Sequence, residues 1–374
     1  MHLGGDEGIR TLDLVSAIDA LSQLSYIPGR KEVYHARRGS ARASGESLAP
    51  LPRRRGSGGE VRGVACYTLR SGVVAKSKRE GERAMARAYG NQSMVAPLRR
   101  VLVRPPAEGD EDVARWREFG YHFAPDVAET RRQHDGLVAL LREAGAEVIV
   151  AEETQPDMLD AIFVTDPGFV SGAGAIIGQM GKRLRRGEEP ALARELTRLG
   201  IPILGTLTGE ATLEGGDVLW LDPETLVIGR SYRSNDAGFQ QTRDLLAGTV
   251  RNIHQVHLPH WHGRDEILHL MSVISPVADD LALVYAPLVP VPLFELLEAR
   301  GIRTIEAPAE EFATHATNAL AVAPGHVVML KGNPITVGRL RAAGVTVWEY
   351  EGRELTINRD GGATCMTCGL LRDY

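Results

Sequence analysis

Residues 140–150 read LLREAG-AEVIV: a leucine stripe, a glycine, then a β-branched run. The pattern returns as ELTRLG-IPIL at 195–204, RDLLAG-TVRNI at 243–253, LLEARG-IRTIE at 296–306 and RLRAAG-VTVWEY at 339–350. The glycines Gly145, Gly200, Gly248, Gly301 and Gly344 are 55, 48, 53 and 43 residues apart. Recurrence at such a period marks a repeat architecture, in which no unit buries its apolar face alone. In the first copy Leu137, Leu140, Leu141 and Ala144 fall at i, i+3, i+4 and i+7, one face of a helix. Gly145 supplies the left-handed residue after the last turn, and Val148, Ile149 and Val150 follow as a strand. Helix–strand alternation with short connections predicts an α/β fold of five strand-helix-strand repeats.

The residues downstream of each glycine carry the chemistry. Twenty-one on from Gly145, Gly248 and Gly344 stand Asp166, His269 and Cys365, and fourteen on from Gly200 stands Glu214. Equivalent positions of pseudo-symmetric units point at a common axis. A thiol, an imidazole and two carboxylates are therefore expected to meet at one site.

The chain has 374 residues, 43% of them hydrophobic, and a net charge of −5. That balance lacks the basic footprint of a nucleic-acid binder, and no apolar run of transmembrane length occurs. Three cysteines, Cys66, Cys365 and Cys368, form no disulfide framework, which fits a reducing cytoplasm. The composition neither requires nor excludes a homo-oligomer.

Residues 1–93 read differently from the rest. The stretch 37–63 is rich in Arg, Gly and Ser without an apolar period, a composition that predicts disorder. Leu14, Val15, Ile18 and Leu21 allow one short helix within 12–24. Met94 precedes the strand-like LRRVLVRPP (98–106). The expectation is a disordered or non-native extension over 1–93, with Met94 as the natural start, and a working domain over 94–374.

Cys365 lies in Gly361-Gly362-Ala-Thr-Cys365-Met-Thr-Cys368. A buried structural cysteine or a Cys-x-x-Cys metal or redox pair gives the same letters. The offset it shares with His269 favours a nucleophile beside an acid–base group. His269 sits in the strand-like run ILHLMS (267–272). His254, His257, His260 and His262 crowd together, but their spacing does not put ligands on one helix face, so no metal and no cofactor is expected. Glu214-Gly-Gly-Asp217 lacks the pattern of a phosphate loop and suits a cation instead. Asp160 and Asp166, six apart around Phe163, would share one face of a strand as a clamp for a planar cation. Arg185, inside a charge run, and Arg233 are each candidates for a bidentate hold on a substrate carboxylate.

The motifs DAIFVTDP (160–167), LEGGDVLWL (213–221), GRSYRSNDAG (229–238), LHLMS (268–272) and GGATCMT (361–367), in that order, resemble those of the guanidino-group-modifying superfamily. Its members are five-bladed pentein α/β-propellers, among them dimethylarginine dimethylaminohydrolases, arginine deiminases and amidinotransferases. The resemblance covers about 94–374. It implies Cys365 as nucleophile, His269 as acid–base and Glu214 as the acid that holds guanidinium and imidazole. Asp160 and Asp166 are implied as guanidinium contacts, Phe163 as an apolar wall, and Arg185 and Arg233 as carboxylate binders. Deiminases typically carry Asn where Asp160 stands, Arg at Thr165 and Asp at Met271. The dimethylarginine hydrolases usually have Glu at Thr165 and Lys at Met271. The implied activity is cysteine-dependent hydrolysis of an arginine-type guanidinium, methylated arginine first, with citrulline as product. Arginine deiminase, dihydrolase or amidinotransferase chemistry is the alternative, followed by a non-catalytic pentein that binds ribosomes.

Overall fold

A computed structural model describes residues 87–106, 114–155, 157–264 and 268–374. The helix expected at 12–24, the stretch 37–63 and Cys66 lie outside the described residues. Five three-stranded sheets are present, one per repeat. The strands are β1 (Leu98–Val103), β2 (Glu147–Val150), β3 (Gly168–Ser171), β4 (Gly174–Ile177), β5 (Ile203–Thr206), β6 (Val218–Asp222), β7 (Thr225–Arg230) and β8 (Asn252–His257). They continue as β9 (Ile274–Ala278), β10 (Leu281–Val284), β11 (Arg303–Glu306), β12 (Ala319–Ala323), β13 (His326–Leu330), β14 (Thr346–Tyr350) and β15 (Cys368–Arg372). In each sheet the middle strand pairs antiparallel on one side and parallel on the other, where the chain returns from a helix. The strand-helix-strand repeat is thus extended by one more short strand ahead of it. The first sheet is the exception in chain order, because its antiparallel strand is β15.

The five unit helices are α1 (Val127–Glu143), α2 (Glu188–Arg198), α3 (Asp236–Leu245), α4 (Val291–Ala299) and α5 (Pro334–Ala342). Asp126 caps α1 by accepting from the Glu129 N–H at 2.9 Å, and Gly145 follows its end at φ 89°. The other four repeat glycines also take left-handed backbone.

Middle strands are buried on both faces, and each face feeds a different core. Ala175 and Ile177 of β4 pack with Leu102, Val170 and Leu192. Ile176 between them packs with Leu213, Val218 and Leu226. Each of the five large apolar clusters joins two neighbouring units in this way, and the cluster of Val101, Leu137, Leu320 and Val328 joins the last unit to the first. Burying one such side chain stabilises by about 1.5–3 kcal/mol, so the ring is held by its joints.

The boundary expected at Met94 needs correction. Gly90 N–H donates to the Leu370 carbonyl at 2.8 Å, and Arg372 N–H donates to Gly90 at 2.9 Å. Gln92 accepts from Gly172 N–H at 2.6 Å and donates to the Pro223 carbonyl at 2.7 Å. Residues 90–93 are therefore packed parts of the domain. Among the described residues no helix is long and apolar enough to cross a membrane.

Candidate active site

Loops that connect one unit to the next, joined by two loops within units, converge on a cavity of about 280 Å³. Asp160, Phe163 and Asp166 come from the stretch between β2 and β3, Arg185 from that between β4 and α2, and Arg233 from that between β7 and α3. His269 precedes β9 and Cys365 precedes β15. Seven of the eight expected site residues thus line one cavity. Glu214, fully buried, stands behind its wall.

Local structure differs from the sequence reading in two places. Asp160 belongs to a 3₁₀ turn, Leu159–Ile162, and Asp166 to the loop after it, so no strand spaces them. His269 caps the four-residue helix Leu270–Val273 instead of lying in a strand, its N–H donating to the Ser272 hydroxyl at 3.1 Å. Asp217 fixes that helix: its Oδ1 accepts from Leu270 N–H at 2.8 Å and its Oδ2 from the Ser231 hydroxyl at 2.6 Å. The acids of LEGGD thereby act on the histidine from two sides. Gly216 matters because a Cβ there would stand 2.5 Å from His269 Nδ1.

Glu214 binds three groups at once. Its Oε1 accepts from the Lys182 N–H at 3.0 Å. Its Oε2 accepts from His269 Nε2 at 2.8 Å and faces Arg233 Nη1 at 3.4 Å. Burial opposes the Glu214 charge, yet the His269 bond and charge, then Arg233 and Arg185, hold its pKa well below the carboxylate range. For His269 burial opposes the imidazolium, but Asp166, the bond to Glu214 and the charge of Asp217 outweigh it and raise its pKa to about 9. The imidazole is thus charged at neutral pH.

Both aspartates are held by one oxygen and open at the other. Asp160 Oδ2 pairs with Lys182 Nζ at 2.6 Å and Asp166 Oδ2 with Arg185 Nη1 at 2.5 Å. Asp160 Oδ1 and Asp166 Oδ1 are buried without a hydrogen-bond partner among the described residues. Unpaired buried acceptors cost about 1–3 kcal/mol each, so a donor-rich guest is called for.

Arg185 is spent on the protein itself. Its Nε and Nη2 donate to Glu188 at 2.9 and 2.8 Å, Nη2 also to the Phe163 carbonyl at 3.1 Å, and Nη1 to Asp166. The expectation of a free carboxylate clamp at Arg185 is therefore corrected: two buried carboxylates already hold its fork. Arg233 keeps donors unspent and lines the cavity.

Cys365 is a thiol in this resting arrangement, because burial first and the Asp166 charge second push its pKa up. Asn318, which the sequence reading missed, donates from Nδ2 to Cys365 Sγ at 3.3 Å. Its Oδ1 accepts from Thr364 N–H at 3.0 Å and from the Thr364 hydroxyl at 2.8 Å, which fixes the amide with nitrogen toward sulfur. Gly362 gives this amide room, since a Cβ there would meet Asn318 at 2.4 Å, and Gly361 does the same for the Phe163 ring at 2.2 Å. The signal for Asn318 was the repeat itself: Gly301 was the one repeat glycine without an assigned partner, and Asn318 lies 17 residues on (318 − 301). Lys182 was missed because it opens a charge run that reads as a solvated face. His122, Asp360 and His315 stand at the cavity wall, with His122 Nε2 3.0 Å from Asp360.

Asp166, Glu214 and His269 offer ligand atoms within 4.8 Å of one another. Both Glu214 oxygens, Asp166 Oδ2 and His269 Nε2 are already committed to protein partners. What remains is a hydrogen-bond acceptor set, which suits an organic cation better than a metal ion. Cys368 is buried in β15 and packs with Leu102 and Leu370.

A model of the family described as "N,N dimethylarginine dimethylhydrolase, eukaryotic" matches residues 121–372. The N(G),N(G)-dimethylarginine dimethylaminohydrolase of Pseudomonas aeruginosa is 26% identical over 272 residues, covering 72% of this chain and 98% of that protein. An arginine deiminase of Listeria welshimeri is 27% identical over 268 residues, 59% of this chain and 65% of the deiminase, so the chain spans just under two thirds of that relative. Among solved structures, a mutant of the Pseudomonas aeruginosa enzyme complexed with citrulline has a TM-score of 0.62 at 23% identity, over 73% of this chain and 99% of that one. The N-terminal domain of a cyanobacterial arginine dihydrolase, bound to product, gives 0.62 at 23% identity, over 73% and 96%. These structural likenesses carry the fold.

Proposed function

We infer the reaction from one premise: the chain belongs to the N,N-dimethylarginine dimethylhydrolase family, and is with it a hydrolase acting on linear amidines. The substrate proposed is an Nω-methylated arginine, converted to citrulline with release of methylamine or dimethylamine. The observation that carries this is the pair of unpartnered oxygens, Asp160 Oδ1 and Asp166 Oδ1, in the cavity that also holds Cys365 and His269. A guanidinium of arginine brings five N–H donors, whereas a dimethylated one brings three and two methyl groups. Two open acceptor atoms beside the rings of Phe163, Phe312 and Trp261 suit the second inventory better.

Binding brings a positive charge against Asp166, whose charge adds to burial in holding the thiol pKa up, and so favours loss of the Cys365 proton to solvent. Asn318 steadies the sulfur anion by a charge-assisted bond. The thiolate attacks the guanidino carbon, and the C–N bond to the methylated nitrogen breaks as the His269 imidazolium protonates the departing amine. General acid help of this kind is worth about 10²–10⁴-fold. The S-alkylthiouronium left on Cys365 is attacked by water, which His269, now neutral, deprotonates. Collapse expels the Cys365 sulfur and yields citrulline. Arg233 is the carboxylate binder in this scheme. A reducing compartment suits a free catalytic thiol.

Arginine deimination or dihydrolysis is the second reading, favoured by the deiminase relative and the dihydrolase neighbour. One assay separates them: arginine, monomethylarginine and asymmetric dimethylarginine are each incubated with the protein, and the released amine is identified. Ammonia from arginine as the main product would overturn the methylarginine reading.

A further inference from the structure

A second cavity, of about 60 Å³, lies among the same connecting segments. It takes alternate residues from them: Thr165 beside Asp166, Met271 two after His269, Leu320 two after Asn318, Thr364 beside Cys365. Among the described residues one charged side chain enters its lining, Arg372 of β15, and no Asp or Glu does.

Arg372 is 5% exposed. Its partners are all neutral: Asn91 Oδ1 from Nε at 3.1 Å, the Ala96 carbonyl from Nη1 at 2.5 Å and the Ala321 carbonyl from Nη2 at 2.8 Å. One hydrogen on each terminal nitrogen is left over. Burial alone acts on this guanidinium and pushes its pKa down to about 9, which still leaves it charged at neutral pH. The contrast with Arg185 is direct, because that equally buried fork has two carboxylates. A buried charge held only by neutral groups is costly. Further donors face the same space: Asn91 has spent its oxygen and keeps its NH₂, and the Ser93 oxygen accepts from Val95 and Ala96 N–H while its own hydrogen is uncommitted. Donors without a matching acid describe a receptor for negative charge.

We propose that this cavity holds a small monatomic anion, of the size and charge of chloride, with Arg372 as its counter-charge. Water fills hydrogen-bonding positions but leaves the charge uncompensated. The volume corresponds to about four to six water-sized positions, at ~10–15 Å³ each by this measure, room for a small ion with water but not for an amino acid. The site is separate from the substrate cavity and independent of the reaction assigned to it.

Crystals of the full chain grown in sodium bromide decide the matter by anomalous scattering. The expected result is a bromine peak within hydrogen-bond distance of the Arg372 guanidinium. Water alone in that position overturns the proposal. In solution, Tm is compared in sodium chloride and sodium gluconate at equal ionic strength. A saturable, chloride-specific rise of about 2–4 °C is expected, and Arg372→Leu removes the chloride-specific part. Equal curves in the two salts for the unaltered protein also overturn it. The bromide crystals need no variant, so the test survives a failure of Arg372→Leu to fold.

Discussion

The two cavities share the loops ahead of β3, β9 and β15 and reach opposite chemistry. The larger holds Asp160 and Asp166, each half-satisfied by a resident cation, and waits for a positive guest. The smaller has one arginine and no acid, and waits for a negative one. Pseudo-symmetry supplies the convergence in both, and the choice of a few side chains supplies the sign. A residue's position in the repeat therefore says that it reaches the centre, while its neighbour one or two positions along faces the other cavity.

Breaking the first cavity alone gives the largest expected effect. Cys365→Ser lowers kcat by about 10³-fold or more, and His269→Ala by about 10²–10⁴-fold. Both leave the chloride response of Tm intact. Loss of that response along with turnover would mean that the two cavities act as one.

Asn318→Ala sharpens the comparison next, since Asn318 faces sulfur and Leu320 faces the other cavity. A hydrogen bond to a charged group contributes about 1.5–3 kcal/mol, so kcat falls about 10–100-fold with little change in KM. The thiol pKa, read from the pH dependence of iodoacetamide alkylation, rises further above its already raised value. An unchanged alkylation profile would leave Asn318 a packing residue.

The pH dependence comes third. His269 has its pKa raised to about 9 in the folded chain against 6.5 as the ordinary value. Its charge thus contributes stability that is fully present below about 6.5 and lost as pH rises through about 9. Thermal melts at increasing pH show a falling Tm over that window, and His269→Gln flattens it. Turnover also declines through about 9 as the general acid is lost.

The smallest effect separates two starting points. A chain beginning at 94 lacks Asn91 and Ser93, which line the second cavity, and Gln92, which ties two loops. Against one beginning at 87 it melts lower by a few degrees, about 1–3 kcal/mol of lost hydrogen bonding, and loses the chloride response. Equal melting and equal response would restore the boundary at Met94.

What was legible in the sequence follows the same division. The larger cavity announces itself because Asp166, His269 and Cys365 are chemically distinctive residues at one repeated offset, with Glu214 and Asp160 in motifs beside them. Thr165, Met271 and Arg372 carry no such mark, and Arg372 reads as a surface arginine until burial is known. The short strands β3, β9 and β12 escaped notice because no helix and glycine announce them, as they do the equally short β2, β5 and β11. Asp160 and Asp166 were rightly paired on one side but for the wrong local reason, since a 3₁₀ turn, and not a strand, brings them together. Arg185 was drawn to a ligand by its charge, and only the coordinates reveal that Glu188 and Asp166 already claim it.

The pairing of β1 with β15 has a temporal meaning. Leu102 stands opposite Cys368, three residues past Cys365, the proposed nucleophile. Every other unit can assemble from nearby sequence as synthesis proceeds, yet the sulfur reaches its neighbours only when the most distant strand docks on the first. On this reading the site proposed around Cys365 is complete only when the circle closes.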